Sequence, residues 1–255
     1  MTTTQRFLRY IPVLGAVAVW QLLSSVGILP ENRLPSPLQI VHGLAELLSH
    51  GLPPGFGLIG HCFASLKRVL CGVAAATITA LPFGIVMGYS ARMRDYLTPF
   101  VELLRPIPPL AWVPIAILWF GIGDQSASFI IFLGAFFPVL LNTVGGVLSI
   151  SRRLIESSVI LGATKTDLFR KVLFPGALPS IITGIRISLG IGWMTLVAAE
   201  FTGVRSGYGL GYMIMTARDI QRPDQIIAGM VVIGLIGYAM DLLIRTAEAR
   251  LLKWR

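Results

Sequence analysis

The chain has 255 residues, 55% hydrophobic and only 13% charged, with a formal net charge of +9. A soluble domain carries about 25% charged residues; with a mean hydropathy of +0.77, this chain cannot cover a soluble surface, and a bilayer is its natural solvent. Unpaired backbone groups are costly in lipid, so only helices and closed barrels span it, and the long apolar blocks here match the ~20 residues of a spanning helix rather than the alternating segments of about ten residues of a barrel.

The blocks predict an all-α integral membrane protein with six spanning helices, Ile11–Leu29, Leu66–Tyr89, Leu97–Phe120, Phe129–Ser149, Ile181–Gly203 and Ile226–Arg245. The first block follows Arg6 and Arg9, and Ala16-Val17-Ala18 resembles a signal-cleavage site. The apolar run before that site is short and apolar character continues to Leu29, so an uncleaved helix is expected. After it come Pro30, Pro35 and Pro37. The stretch Leu38–Leu48 then places Leu44, Leu47 and Leu48 on one face, apart from His42, Glu46 and His50, as an interfacial amphipathic helix does. Pro53-Pro54-Gly55 ends it.

In the second block, Gly84-xxx-Gly88 permits close helix packing. Cys62 and Cys71 form no CxxC or Cys/His cluster, and His42, His50 and His61 lack a ligand constellation, so neither a disulfide framework nor a metal site is expected. Pro106, Pro108, Pro109 and Pro114 should kink or break the third span, with the break facing protein or a cavity. Ionisable residues inside spans usually line an interior or a path. The candidates are Glu102, Arg105, Arg186, Glu200 and Asp241. Glu102 and Arg105 are spaced to pair, and Arg186 lies about a turn into the fifth helix, where it can snorkel. Trp112, Trp119 and Trp193 border the same regions. Gly207-Tyr208-Gly209-Leu210-Gly211 has no preceding strand, which excludes a dinucleotide loop and suggests an external re-entrant turn.

Basic residues set the orientation. With the N-terminus inside, the inner segments hold 13 of the 21 Lys and Arg residues, among them Arg92, Arg94, Arg152, Arg153, Lys165, Arg170 and Lys171. Arg33, Arg205, Arg218 and Arg222 fall outside. Lys67 and Arg68 are the awkward pair at the outer mouth of the second helix, where both can snorkel outward. The bases are scattered at the ends of apolar blocks rather than gathered in a stripe, which argues against nucleic acid.

The largest inner segment, 151–179, is too polar to span yet is patterned. Leu154, Ile155, Val159 and Ile160 suit a short amphipathic helix, and Gly162 allows a turn. Thr164 or Thr166 can cap a second short helix carrying Asp167 near its positive end. Pro175 stops that helix and Pro179 starts the next span. Glu156-Ser157-Ser158, Gly162 and Val172-Leu173-Phe174-Pro175 resemble the signature loop of binding-protein-dependent ABC permeases, which reads Glu-Ala-Ala, then Gly, then Ile-x-Leu-Pro, at the same spacing. Ser-Ser stands for Ala-Ala, Val for Ile and Phe for Leu. The resemblance runs from about Leu66 to Arg255. Leu104-Arg105-Pro106-Ile107-Pro108-Pro109-Leu110-Ala111-Trp112-Val113-Pro114, Trp119-Phe120-Gly121-Ile122-Gly123-Asp124 and Val197-Ala198-Ala199-Glu200 look like the branch importing sulfonates, taurine, nitrate and related anions.

The resemblance implies a type I importer permease. The whole chain would be one transmembrane permease domain: residues 1–61 supply the first helix and external amphipathic segment, and residues 62–255 the core with coupling loop 151–179. It implies a homodimer of permease chains, two cytoplasmic P-loop ATPases holding ATP and Mg, and an external or periplasmic solute-binding protein. The setting would be a bacterial inner membrane with both termini cytoplasmic. Glu156, Ser157, Ser158, Gly162, Ala163, Thr164, Lys165, Asp167, Leu168, Phe169 and Pro175 would form the ATPase-coupling surface. Glu102, Arg105, Trp112, Arg186, Trp193 and Glu200 are the path or gate candidates. The chain has no P-loop, since Gly162-Ala163-Thr164-Lys165-Thr166 lacks the glycine spacing, so hydrolysis belongs to another chain. The solute expected is an aliphatic sulfonate or taurine, with nitrate, bicarbonate or a vitamin precursor as the alternative. A secondary transporter would need a midplane coupling-ion site and would leave the inner helix–turn–helix unexplained. An enzyme would need a nucleophile–base pair or metal cluster, and the sequence displays neither.

Overall fold

A computed structural model of the chain describes residues 11–201 and 207–251; the expectations for Arg6, Arg9, Gly203, Arg205, Lys253 and Arg255 lie outside them. The described residues form helices and turns, with no strand among them. In order they are α1 Ile11–Ser25, α2 Pro37–Ser49, α3 Leu58–Tyr89, α4 Ala91–Leu104, a 3-10 turn Pro109–Trp112, α5 Val113–Phe120, α6 Asp124–Leu148, α7 Arg152–Ile160, the one-turn α8 Lys165–Asp167, a π-helical stretch Leu168–Leu173, α9 Phe174–Phe201, α10 Leu210–Asp219 and α11 Pro223–Leu251.

Four of these runs are long and apolar enough to cross a bilayer: α3, α6, Lys165–Phe201 and Pro223–Arg250. The pair Ala91–Leu104 and Pro109–Phe120 makes a fifth candidate, bent by 82°, where Pro106, Pro108 and Pro109 withdraw three of four successive backbone donors. Of the remaining expected span, Ile11–Leu29, the described residues hold the 15-residue helix α1, which ends at Ser25. Each span from the second on starts earlier than hydropathy places it, α3 at Leu58 rather than Leu66 and α6 at Asp124 rather than Phe129 among them. The extra turns of α3 and α6 carry His61, Ser65 and Asp124, polar residues that a hydropathy reading rejects but that find partners within the protein.

By contacts the chain divides into two compact units, 11–63 with 207–236 and 64–201 with 237–251. In the first, Ser36 caps α2 in a reciprocal box with Gln39. The buried face of α2 is Ile40, Gly43 and Leu47, whereas Leu48 is exposed, so the apolar face expected through Leu44, Leu47 and Leu48 is rotated toward the N-terminus. The cause is Gly43, which lets the backbone rest on Asp224, 3.0 Å from where a Cβ would lie. Glu46 of α2 accepts from Arg222 and, at 3.0 Å, from Gln225. The guanidinium of Arg222 holds the Glu46 carboxyl below the usual carboxylate range. His61 is fully buried; its Nδ1 accepts from the Gly209 N–H at 2.9 Å. Tyr208 packs its ring 4.7 Å from Phe56. The glycine-rich segment 207–211 is thus a turn into α10, pinned by a buried histidine.

In the second unit α3, α6 and α9 approach closely because small residues line their contacts. A Cβ on Gly84 would sit 2.6 Å from the Thr143 Cβ, and one on Gly88 2.5 Å from the Val147 Cβ. Without a side chain at either position the backbones pack directly, as Gly84-xxx-Gly88 predicts. Ile85, Val147, Leu168, Leu173, Ala177 and Ile181 form one buried cluster and Ala80, Met87, Val139, Leu140 and Val144 another.

Candidate functional site

The segment 152–173 is a helix–turn–helix with a buried root and an exposed tip. Ser151 caps α7 through the Leu154 N–H. The helix ends in a Schellman motif: the Gly162 N–H bonds Val159 O at 3.0 Å and the Ala163 N–H bonds Ser158 O at 3.0 Å. That motif requires the left-handed conformation Gly162 adopts, with φ of 84°. Thr164 then caps α8 in a reciprocal box with Asp167, and Lys171 pairs with Asp167 at 2.7 Å. Leu168 and Leu173 are buried against Ile85, Val147 and Ala177. At the other extreme Ile160 and Leu161 are 84% and 87% exposed.

The residues singled out in the sequence fall on both parts. Glu156 is exposed and pairs with Arg152 at 2.9 Å. The hydroxyls of Ser157 and Ser158 fold back onto the carbonyls of Arg153 and Leu154, at 2.7 and 2.8 Å. They therefore satisfy themselves locally, which is why Ser-Ser can stand where the signature has Ala-Ala. Ser158, Gly162, Ala163, Asp167 and Lys171 border one shallow groove of about 350 Å³ between the two helices. Phe169 is partly exposed, and Leu168 belongs to the root. Pro175 does not stop the second helix. The chain winds through Leu168–Leu173 with π geometry and continues into α9, and the wide turn, closed by a Phe174 N–H to Phe169 O bond, accommodates a proline that has no donor to lose. Pro179 correspondingly lies inside α9 rather than starting it.

A buried charge network lies in the same unit. Arg68 of α3 is 1% exposed; its Nε and Nη2 donate to Asp124 at 3.0 and 2.7 Å, and its Nη1 donates to Glu200. Ser65 donates to both Glu200 oxygens, at 2.8 and 3.0 Å. Three helices, α3, α6 and α9, meet on one guanidinium. Arg68 therefore does not snorkel outward; the buried Glu200 and the half-exposed Asp124 compensate it, while Lys67 is exposed as expected. Glu200, expected near an outer gate, is wholly buried.

Arg186 belongs to a second ion-pair network, which is partly exposed. It donates to Asp241 at 2.9 Å and approaches Glu248 at 3.7 Å, and Asp241 also accepts from Arg245 at 2.7 Å. Trp193 is buried, with its indole Nε1 3.0 Å from where a Gly237 Cβ would lie. Arg186, Trp193, Gly237 and Asp241 border a small cavity of about 70 Å³. Glu102 and Arg105 do not pair. Both are exposed and no ion pair joins them among the described residues, although Arg105 still continues the helical winding as the C-cap of α4, its N–H bonded to Val101 O. Trp112 is half-buried at the end of the 3-10 turn. The structure thus joins Arg186 with Trp193 and places Glu200 with Arg68, but does not bring the six path candidates to one site. Arg68, expected to snorkel outward, and Asp124, noted only in the Trp119–Asp124 stretch, were not among the path candidates and instead pair with each other. Among the described residues no group of three His, Cys, Asp or Glu side chains is placed to hold a metal ion.

Residues 80–253 match the family of binding-protein-dependent transport system inner membrane components. A candidate ABC transporter permease protein of Methanocaldococcus jannaschii is 43% identical over 94% of this chain and 89% of its own length. The taurine transport system permease protein TauC of Escherichia coli is 39% identical over 93% and 86%. The inward-facing MetNI methionine ABC transporter superimposes with a TM-score of 0.61 at 24% identity, covering 74% of this chain and 95% of that one, which establishes the shared fold. The chain belongs to the family of binding-protein-dependent ABC transporter permeases: it is a multi-pass transport subunit of the type I importer fold, not an enzyme.

Proposed function

We propose that this permease carries a small organic anion, an aliphatic sulfonate or taurine, inward across a cytoplasmic membrane. It would work as a homodimer with two ATPase subunits that hold ATP and Mg, and with an external solute-binding protein. The substrate reading rests on the 39% identity to the taurine permease over nearly the whole chain. The observation that carries the coupling role is the exposed apolar tip at Ile160 and Leu161 on a helix–turn–helix whose root is buried. Exposed apolar patches mark interaction sites, and this one is joined rigidly through Leu168 to the core of α3, α6 and α9. An ATPase gripping Glu156–Pro175 displaces those helices together; closure on ATP opens the path outward and hydrolysis returns it. Both termini would then be cytoplasmic, and the whole chain one permease domain.

The test is reconstitution of the tagged chain with its co-purifying subunits and a taurine-binding protein in vesicles. ATP-dependent uptake of labelled taurine is expected, competed by short alkanesulfonates and not by nitrate. Gly162→Pro cannot adopt the left-handed turn, so the variant should insert normally and lose transport-coupled hydrolysis. Uptake that runs on an ion gradient without an ATPase would sink the proposal.

A further inference from the structure

A further cavity lies between the helix–turn–helix root and α3. Its volume is about 380 Å³, inside the range of roughly 300–1,000 Å³ typical of ligand sites. Ile85, Val86 and Leu81 of α3 form one wall, and Leu168, Phe169 and Leu173 of the π-helical stretch the other. Two residues with polar ends border it, Tyr89 and Lys165, and both are exposed. From Leu81 to Tyr89 the cleft follows α3 for about 12 Å at 1.5 Å per residue, close to the ~15 Å depth of one hydrocarbon leaflet.

Charge decides what fits. The cleft is apolar along its length and ends at a lysine that forms no ion pair among the described residues. The nearest acid in sequence, Asp167, is occupied by Lys171 and Thr164. Arg94 adds a second cation at this end of α3, where its Nη1 reaches the Met87 carbonyl at 3.5 Å. An apolar ligand alone leaves the cation without a counter-charge, and a soluble anion leaves the cleft without an apolar filling. Tyrosine and lysine at the end of a long apolar helix also mark the interfacial level of a bilayer.

We infer that this cleft binds an anionic phospholipid, with an acyl chain between α3 and the π-helical stretch and the phosphate on Lys165 and the Tyr89 hydroxyl. On the reading that 152–173 is the coupling element, the bound lipid braces the root of the lever against α3. The binding itself does not depend on that reading.

Native mass spectrometry of the full-length chain, released from detergent with its co-purifying subunits, tests the site. The probes are dioleoyl phosphatidylglycerol, dioleoyl phosphatidylcholine and glycerol phosphate. Phosphatidylglycerol adducts should exceed phosphatidylcholine adducts by about fivefold, the preference expected from one basic residue near an anionic headgroup. Glycerol phosphate should not be retained. Lys165→Gln should remove the preference while keeping phosphatidylcholine binding, and Val86→Trp should fill the cleft and reduce both lipids. Lys165 is a surface residue, so its variant keeps the test decisive even if Val86→Trp fails to fold. Equal retention of both lipids by the parent chain, an unchanged preference in Lys165→Gln, or loss of the lipid whenever the ATPase is bound would each overturn the proposal. The readout is bound lipid, so it holds or fails independently of transport.

Discussion

Arg68 has one guanidinium and three helices depending on it. Desolvating an ion costs several kcal/mol, and the cost is offset only where the partners are well placed and well bonded. Here the fork reaches Asp124 with two nitrogens and Glu200 with the third, and Ser65 supplies Glu200 with a further donor. Removing the cation alone leaves the Glu200 carboxylate buried with its charge uncompensated. Arg68→Gln should therefore destabilise the protein by about 3–5 kcal/mol, read as a lowered midpoint of thermal unfolding in detergent. Adding Glu200→Gln should restore part of the loss, because a neutral pair is cheaper to bury than a lone charge; strictly additive effects would show that the two side chains do not interact. Glu200 was legible in the sequence as a charge inside a span. Its partner was not, since Arg68 stands 132 positions away and hydropathy says nothing about which spans adjoin.

Between elements, the decisive contacts are those where a side chain is missing. Gly88 has the Val147 Cβ 2.5 Å from its own would-be Cβ, while Gly145, on the same α6 that Gly88 meets, has nothing within 4 Å. Gly88→Leu should push α3 off α6 and lower the yield of folded, monodisperse protein sharply. Gly145→Ala should not, and stands to gain the roughly 0.5–1 kcal/mol by which Ala exceeds Gly inside a helix. A Gly88→Leu protein with unchanged yield and unfolding midpoint would contradict the packing described. Such spacing was readable because it is local, as were the cap at Thr164 and the turn at Gly162. The fate of Pro175 was not. Proline normally marks a helix boundary, and only the neighbouring π-helical winding, invisible in the residue pattern, lets the helix pass through it.

For the whole molecule, the distribution of basic residues predicts which ends of the helices share a side of the membrane. In a chain with Cys62 and Cys71 replaced by Ser, Ser157→Cys should react with an impermeant maleimide only after the membrane is opened. Ser49→Cys, at the end of α2, should react in intact spheroplasts. Labelling of both from one side would defeat the proposed orientation. The all-helical membrane class was plain from composition, and the break at Pro106–Pro109 from its prolines. The end of α1 at Ser25 was hidden, because apolar residues continue past it where the helix does not. The π-helical winding of Leu168–Leu173 also sets a phase. A π turn holds one residue more than an α turn, so everything beyond it is advanced by about 100° relative to uninterrupted α winding. Arg186, Trp193 and Glu200 recur at intervals of seven residues and so share one side of α9. The azimuth at which that side meets Asp241, Gly237 and Arg68 is thus fixed by a single inserted residue near the far end of the same rod.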